Sequence, residues 1–425
     1  MKLQAKDRRV DRFLKRHLRE EPYDFAAVED PRARRGRRWT LLTLLRTLFE
    51  GLVANCESLR DVEELTETQA ERGRATRRVP DTTLFELVGR LSVDGFLPSL
   101  HKQVYGLYRS KSLAPVGLPC GVLSFDGKQI CALDHDAGGS AQKSHRSHDG
   151  TPFWMPRVLR ATLTSSPVRP CLHQMTVPAD TNEMGAFAEY FAQVMATYGH
   201  NDLFEIITGD AGLVSREHAN LVAAADKSYV FALKETQPEL RREAERLLVP
   251  MTATEPAAQT PWETAKGKQF RRSLWRTCEM AGYHDWAHLQ QAWLVRTESR
   301  NKDGSNVVFV EDRYFLTSVR KGRLTPTQIL QVVRGHWGIE NDCFGTLDMR
   351  WGEDARRWAT KGHAVEVLGV LRLMAYNLGQ LLRVRHLRVR REEGGWGPML
   401  SWRSVFRWIR DALRLPVEGK TQVGT

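Results

Sequence analysis

The feature that most constrains this chain is a change of hydrophobic period near residue 119. Upstream, apolar residues recur at helical spacing, from Leu41 to Leu52 and again from Leu84 to Phe96. The stretch "VPDTTLFELV" adds a helix start in Asp81 or Thr82 after Pro80. Downstream, "CGVLSFDGK", "PFWMPRVLRATLT" and "PCLHQMTVPA" follow one another as strand-like segments. An amphipathic helix, "EMGAFAEYFAQVMATYG", comes next, then the strand "LFEIITGD", the helix "SREHANLVAAAD" and the strand "SYVFALK".

Three strands, helix, strand, helix, strand is the order of a ribonuclease-H-like core. The expected class is therefore α/β, a mixed sheet flanked by helices. Residues 1–115 form a helical N-terminal region and 116–234 the first part of the core. Residues 235–325 interrupt it with a charged helix, a Pro/Thr/Ala linker and the strand-like runs "FRRSLWRTCEM", "AWLVRTES" and "NVVFVEDRYFLTSV", which together read as a β-rich insertion. Residues 326–385 supply helices that complete the core, and 386–425 form a basic tail.

Charge narrows the class of partner. Among 425 residues, 63 Lys and Arg stand against 51 Asp and Glu, a net +12, which favours a polyanion and nucleic acid above membrane. The excess is clustered in "KDRRVDRFLKRHLRE", "PRARRGRRW" and "RVRHLRVRREE" rather than interspersed. The two most apolar helices carry Arg46, Glu50, Glu366 and Arg372 and read as core helices, not membrane spans. A charged N-terminus predicts no secretory leader, so a cytosolic protein is expected. The six cysteines lie far apart without a CxxC pair, which predicts neither a disulfide framework nor a zinc site.

Three carboxylates stand out. Asp126 ends an apolar strand at "FDGK", and Asp210 ends another at "IITGDAG". In open α/β sheets function gathers where strands run out, although Asp-Gly and Gly-Asp are also ordinary turn chemistry. The third is Glu340. A helix is expected over 326–347, with Thr325 as N-cap, Pro326 in the first turn and Gln328 three residues after the cap. At 100° per residue Ile329, Val332, Val333, Trp337, Ile339, Cys343, Phe344 and Leu347 share one arc, and Glu340 falls near its centre. A carboxylate buried there needs a cation. If the three acids converge, divalent metal relieves their repulsion, which is the arrangement of a two-metal phosphoryl-transfer site.

The stretches "DPRARRGRRWTLLTLL", "VPDTTLFELVGRL", "SFDGK", "QMTVPADTNEMGAF", "ITGDAG", "SYVFALKETQPEL", "RYFLTSV" and "RGHWGIENDCFGTLDMRWGEDARR", in that order, resemble the DDE transposases of bacterial insertion sequences, specifically the H-repeat-associated branch. The resemblance implies a ribonuclease-H-like catalytic core with Asp126, Asp210 and Glu340 as catalytic triad and metal ligands. It also implies two Mg²⁺ ions, for which Mn²⁺ can substitute. Related branches carry an Arg and a Lys where His336 and Leu347 stand here, and "ENDCFG" replaces a tryptophan-bearing "ENxLHW".

The reading is a DNA transposase acting at terminal inverted repeats and on target DNA, a homodimer when bound to DNA, working in the bacterial cytoplasm at the nucleoid. Arg34, Arg35, Arg37 and Arg38 are expected to contact DNA. Lys128 and Lys234 follow strand ends and could hold phosphates, with solvated lysine as the alternative. His336 could touch the acid or a phosphate, or pack in the core. Glu353 and Asp354 are rival third acids, better read as surface partners of Arg356 and Arg357. The loop with Asp134, His135, Asp136, His145, His148 and Asp149 imitates a metal site but lacks an element to fix its geometry. Two other classes remain open: an inactive, element-derived DNA-binding protein and a ribonuclease-H-like nuclease.

Overall fold

The computed structural model describes residues 5–20, 25–35, 37–73, 75, 77–136, 142–233, 235, 237–265, 267–283, 286–304, 307–388 and 397–414. Five helices open the chain: α1 (Ala5–Leu14), α2 (Leu41–Val53), α3 (Leu59–Glu71), α4 (Asp81–Val88) and α5 (Leu97–Arg109). Thr40 and Ser58 cap α2 and α3, each hydroxyl accepting a backbone N–H at 3.1 Å. α4 starts at Asp81 without a side-chain cap, its acid facing the positive end of the helix dipole.

The core follows in the expected order: β1 (Val122–Gln129), β2 (Gln142–Arg146), β3 (Pro152–Leu163), β4 (Cys171–Thr176), α6 (Glu183–Tyr198), β5 (Ile206–Gly209), α7 (Arg216–Ala224) and β6 (Ser228–Leu233). β4, β3 and β1 pair antiparallel, while β1, β5 and β6 run parallel. That is the strand order of a ribonuclease-H-like sheet, so the fold class read from the sequence holds. One face of β1 packs on α6, where Phe125 meets Phe187, Tyr190 and Phe191.

Two features differ from the sequence reading. The polar stretch after "DGK" was expected to be an irregular loop, yet Gln142–Arg146 is a strand, paired with the outer end of β3 from Gln142↔Pro156 to Arg146↔Pro152. Tertiary pairing overrides weak intrinsic propensity there. The insertion holds α8 (Pro238–Leu248), β7 (Ala258–Gln259), β8 (Glu263–Ala265), β9 (Lys268–Thr277), β10 (Gln291–Asn301) and β11 (Val307–Thr317). It does not stand apart: β11 hydrogen-bonds to β6, and the eleven strands form one sheet. The open edge of β6 is thereby covered.

The chain closes with α9 (Pro326–His336), α10 (Ala364–Leu381) and α11 (Trp402–Leu413). Every residue of α10 is buried. Ala364–His386 is long and apolar enough to cross a membrane, but its apolar window is wholly enclosed by the protein. The N-terminal helices join this core directly, since α2 packs on α10 and the Trp351 indole N–H donates to Leu52 O at 2.8 Å.

Candidate active site

Strand register brings the two aspartates together. Phe125 on β1 lies opposite Gly209 on β5, and the strands are parallel, so Asp126 and Asp210 emerge side by side as the next residue of each. Neighbouring strands are about 4.8 Å apart. β1 does not end at Asp126, as the sequence suggested; it continues to Gln129 against β3 alone. Asp126 Oδ1 accepts from the Gly127 N–H at 2.8 Å, and Asp210 Oδ1 accepts from the Gly212 N–H at 2.9 Å. Gly127 leaves room for Glu183 at the start of α6, whose Cγ would stand 2.5 Å from a Cβ at 127 and would have to move.

Two residues below each aspartate, on the same sheet face, hydroxyls form a chain. Thr164 Oγ1 and Ser124 Oγ are 2.8 Å apart, Thr208 Oγ1 donates to Ser124 Oγ at 2.7 Å, and Thr208 Oγ1 lies 2.9 Å from His336 Nδ1. His336 closes α9 and is buried, and that burial pushes its imidazole down to about 4, only partly offset by Asp210. It is neutral at physiological pH and pins α9 to the sheet. A DNA contact by His336 is therefore corrected, since no face of the ring is open to a phosphate.

The capping box of α9 forms as read, with Thr325 Oγ1 accepting from the Gln328 N–H and Gln328 Oε1 accepting from the Thr325 N–H. Beyond His336 the helix changes. Ile339–Phe344 and Leu347–Trp351 are π-helical turns, with the Gly345 N–H reaching back five residues to Glu340 O. A wider turn rotates later side chains away from a constant 100° projection. Ile339, Cys343, Phe344 and Leu347 stay buried, while Glu340 is exposed. The expectation of a buried Glu340 was wrong for that reason.

The crowding is felt instead by Asp126. Burial, then the charges of Asp210 and Glu340, push its carboxyl up to about 8, with Glu183 adding to the load. Among the described residues none of the three acids has an ion-pair partner, and no three His, Cys, Asp or Glu side chains converge tightly enough to enclose one ion. The donor set therefore suits cations that each take one or two carboxylates and complete their shell with water and phosphate oxygens, the habit of Mg²⁺.

Lys128 and Glu353 are the larger corrections. Lys128 shares the face of Asp126, but its Nζ is buried and donates to Glu353 Oε2 at 2.7 Å and to Asp348. It is not available to DNA. Glu353 was read as a surface residue, yet its side chain is wholly enclosed. Arg160, which lies opposite Asp126 on β3, grips it from two nitrogens at 2.8 and 2.7 Å and donates from Nε to Gln174 Oε1 at 2.8 Å. Burial alone would raise the Glu353 carboxyl, but Arg160 and Lys128 hold it well below the usual range. This hub ties β1, β3 and β4 to the segment following Glu340. The lone arginine in the apolar run "VLRATL" was the signal that a buried carboxylate had to exist.

Arg34, Arg35, Arg37 and Arg38 lie exposed in the segment before α2, with Arg37 3.2 Å from Asp30. Lys234 lies outside the described residues, as does part of the His- and Asp-bearing loop. Within the described part of that loop, His135 pairs with Asp134 at 2.6 Å, and Asp149 accepts from Ser147 and from the Thr151 N–H.

Residues 127–378 match the family model described as "Transposase DDE domain". No curated protein matches the chain. Among solved structures it is similar to a piggyBac transposase synaptic complex with hairpin DNA, at 10% identity and a TM-score of 0.43, over 96% of this chain and 77% of that one.

Proposed function

The chain belongs to the DDE transposase domain family, and from that premise we propose that it is a metal-dependent DNA transposase that cuts at the ends of an insertion sequence and joins the freed 3′-hydroxyls to target DNA. The observation that carries this reading is the charge load on Asp126. Asp210 and Glu340 come from separate segments, both add to that load, and among the described residues no cation pairs with any of the three acids. Asp126, Asp210 and Glu340 would hold two Mg²⁺ or Mn²⁺ ions. When bound, these activate the attacking oxygen and stabilise the leaving one.

The protein's own part is positioning. The parallel register sets Asp126 beside Asp210, and the His336–Thr208 contact fixes the helix from which the Glu340 turn departs. The exposed Arg34, Arg35, Arg37 and Arg38 would hold phosphates of the terminal inverted repeats without reading bases. Two ends must be held for joining, which favours a homodimer on DNA, and a nucleoid-associated cytoplasmic setting follows. The test is incubation of the purified protein with its own flanking DNA ends and Mg²⁺. Cleavage followed by joining to a second duplex is expected. Cleavage of RNA:DNA hybrids without joining would favour a ribonuclease-H-like nuclease, and end binding without cleavage an element-derived DNA-binding protein.

A further inference from the structure

The sheet formed by β9, β10 and β11 changes character along one face. Under α9 that face is apolar, with Leu274, Trp293, Val295 and Phe315 buried against Ile329, Leu330 and Val333. Beyond the helix the same face continues uncovered, and its side chains become Phe270, Arg272, Thr297, Phe309 and Arg313. Phe309 is 52% exposed. This face forms one wall of a cleft of about 990 Å³ whose other walls are α9, the start of the Glu340 turn and the segment following β3. Asn341 and Asp342, immediately after Glu340, line it.

The cleft carries guanidinium groups as well as aromatic rings. Arg169, Arg272, Arg313 and Arg334 line it, with Arg169 paired to Asp342 and Arg313 to Glu311 at 2.9 Å. Arg334 holds Glu263 at 2.7 Å, and Arg272 reaches the same acid only at 3.8 Å. One buried nitrogen of Arg272, Nη1, has no hydrogen-bond acceptor. The guanidinium of Arg313 lies 4.4 Å from the centre of the Trp337 ring. An uncovered sheet face carrying aromatic rings beside guanidinium groups suits bases with their π-faces open and a phosphodiester backbone alongside. A duplex hides those faces in its stack.

We propose that this cleft binds an unpaired stretch of DNA strand, its bases on Phe270 and Phe309 and its phosphates on Arg272 and Arg334. The proposal rests on the reading of the acids as a DNA-cutting centre for its purpose, but it concerns binding and is tested without cutting.

Fluorescence anisotropy with the full-length protein in EDTA compares a labelled oligothymidine strand with a duplex of equal length, for wild type, Phe309→Ala, Arg334→Gln and an Arg34→Gln/Arg35→Gln control. Both probed side chains are exposed, and a melting curve for each variant verifies folding. Phe309→Ala is expected to weaken single-strand binding roughly tenfold and duplex binding little. Arg334→Gln should also flatten the salt dependence for the single strand. The control should show the reverse preference. Equal single-strand affinity for Phe309→Ala and wild type, or equal losses on strand and duplex, overturns the proposal. The two readings separate cleanly. Single strands held through Phe309 by a protein that neither cuts nor joins would leave the cleft standing and remove the transposase reading. Cutting and joining with no effect of Phe309→Ala would do the opposite.

Discussion

Two groups of carboxylates sit on the same sheet face, a few residues apart, and the chain treats them in opposite ways. Around Glu353 it supplies everything: two cations, one of them a bidentate guanidinium, and complete enclosure, so the acid stays ionised in the interior. Around Asp126 it supplies like charges and a single backbone N–H, and the carboxyl is driven up to about 8. A buried acid whose counter-charge is built in serves the fold. An acid left without one, next to two others, awaits a charge from outside.

The contrast is broken or sharpened by substitution. The largest effect is expected on chemistry. Asp126→Asn, Asp210→Asn and Glu340→Gln should each abolish cleavage and joining while leaving DNA-end affinity unchanged, because affinity comes from basic residues elsewhere. Near-normal cleavage by any one of them removes that residue from the metal site. The next effect is on stability. Glu353→Gln leaves Arg160 enclosed without its counter-charge and should cost about 3–5 kcal/mol, read as a lowered denaturation midpoint. A change within error would mean that the hub is solvated and contributes nothing.

The two centres should also respond oppositely to pH. With metal removed, the folded protein retains a proton on Asp126 that the unfolded chain has lost, so this group's contribution falls as pH rises from about 3.9 towards 8. Asp126→Asn should therefore melt progressively higher than wild type across that window, measured in EDTA. Glu353 has the reverse sign. Its contribution is complete above about 4.3 and is lost as pH falls below that value, so wild type and Glu353→Gln should converge in acid. Parallel melting curves for either pair would contradict the assignment. The smallest effect belongs to the exposed cluster. Neutralising Arg34, Arg35, Arg37 and Arg38 should lower the slope of log K against log salt by roughly one unit per lost phosphate contact.

Local signals in the sequence carried further than pairings did. Asp126 and Asp210 were legible because each follows an apolar run that can only be a buried strand, and the Thr325 capping box was legible because it lies within four residues. Glu340 was misjudged in burial, because a constant helical period cannot anticipate a π-helical turn. Glu353 was missed as a core residue because its partner Lys128 lies 225 residues away, and a Glu-Asp pair followed by arginines looks like surface. The joining of β11 to β6 was also invisible, since edge pairing is made by backbone groups common to every residue.

The central claim is that Asp126, Asp210 and Glu340 share divalent cations taken up from solution. Titration of Mn²⁺ into the metal-free protein, followed by electron paramagnetic resonance, tests it most directly. Wild type and Glu353→Asp should bind the ion alike, whereas Asp126→Asn, Asp210→Asn and Glu340→Gln should each lose a bound ion or most of the affinity. Undiminished Mn²⁺ binding by all three of those variants would contradict the account.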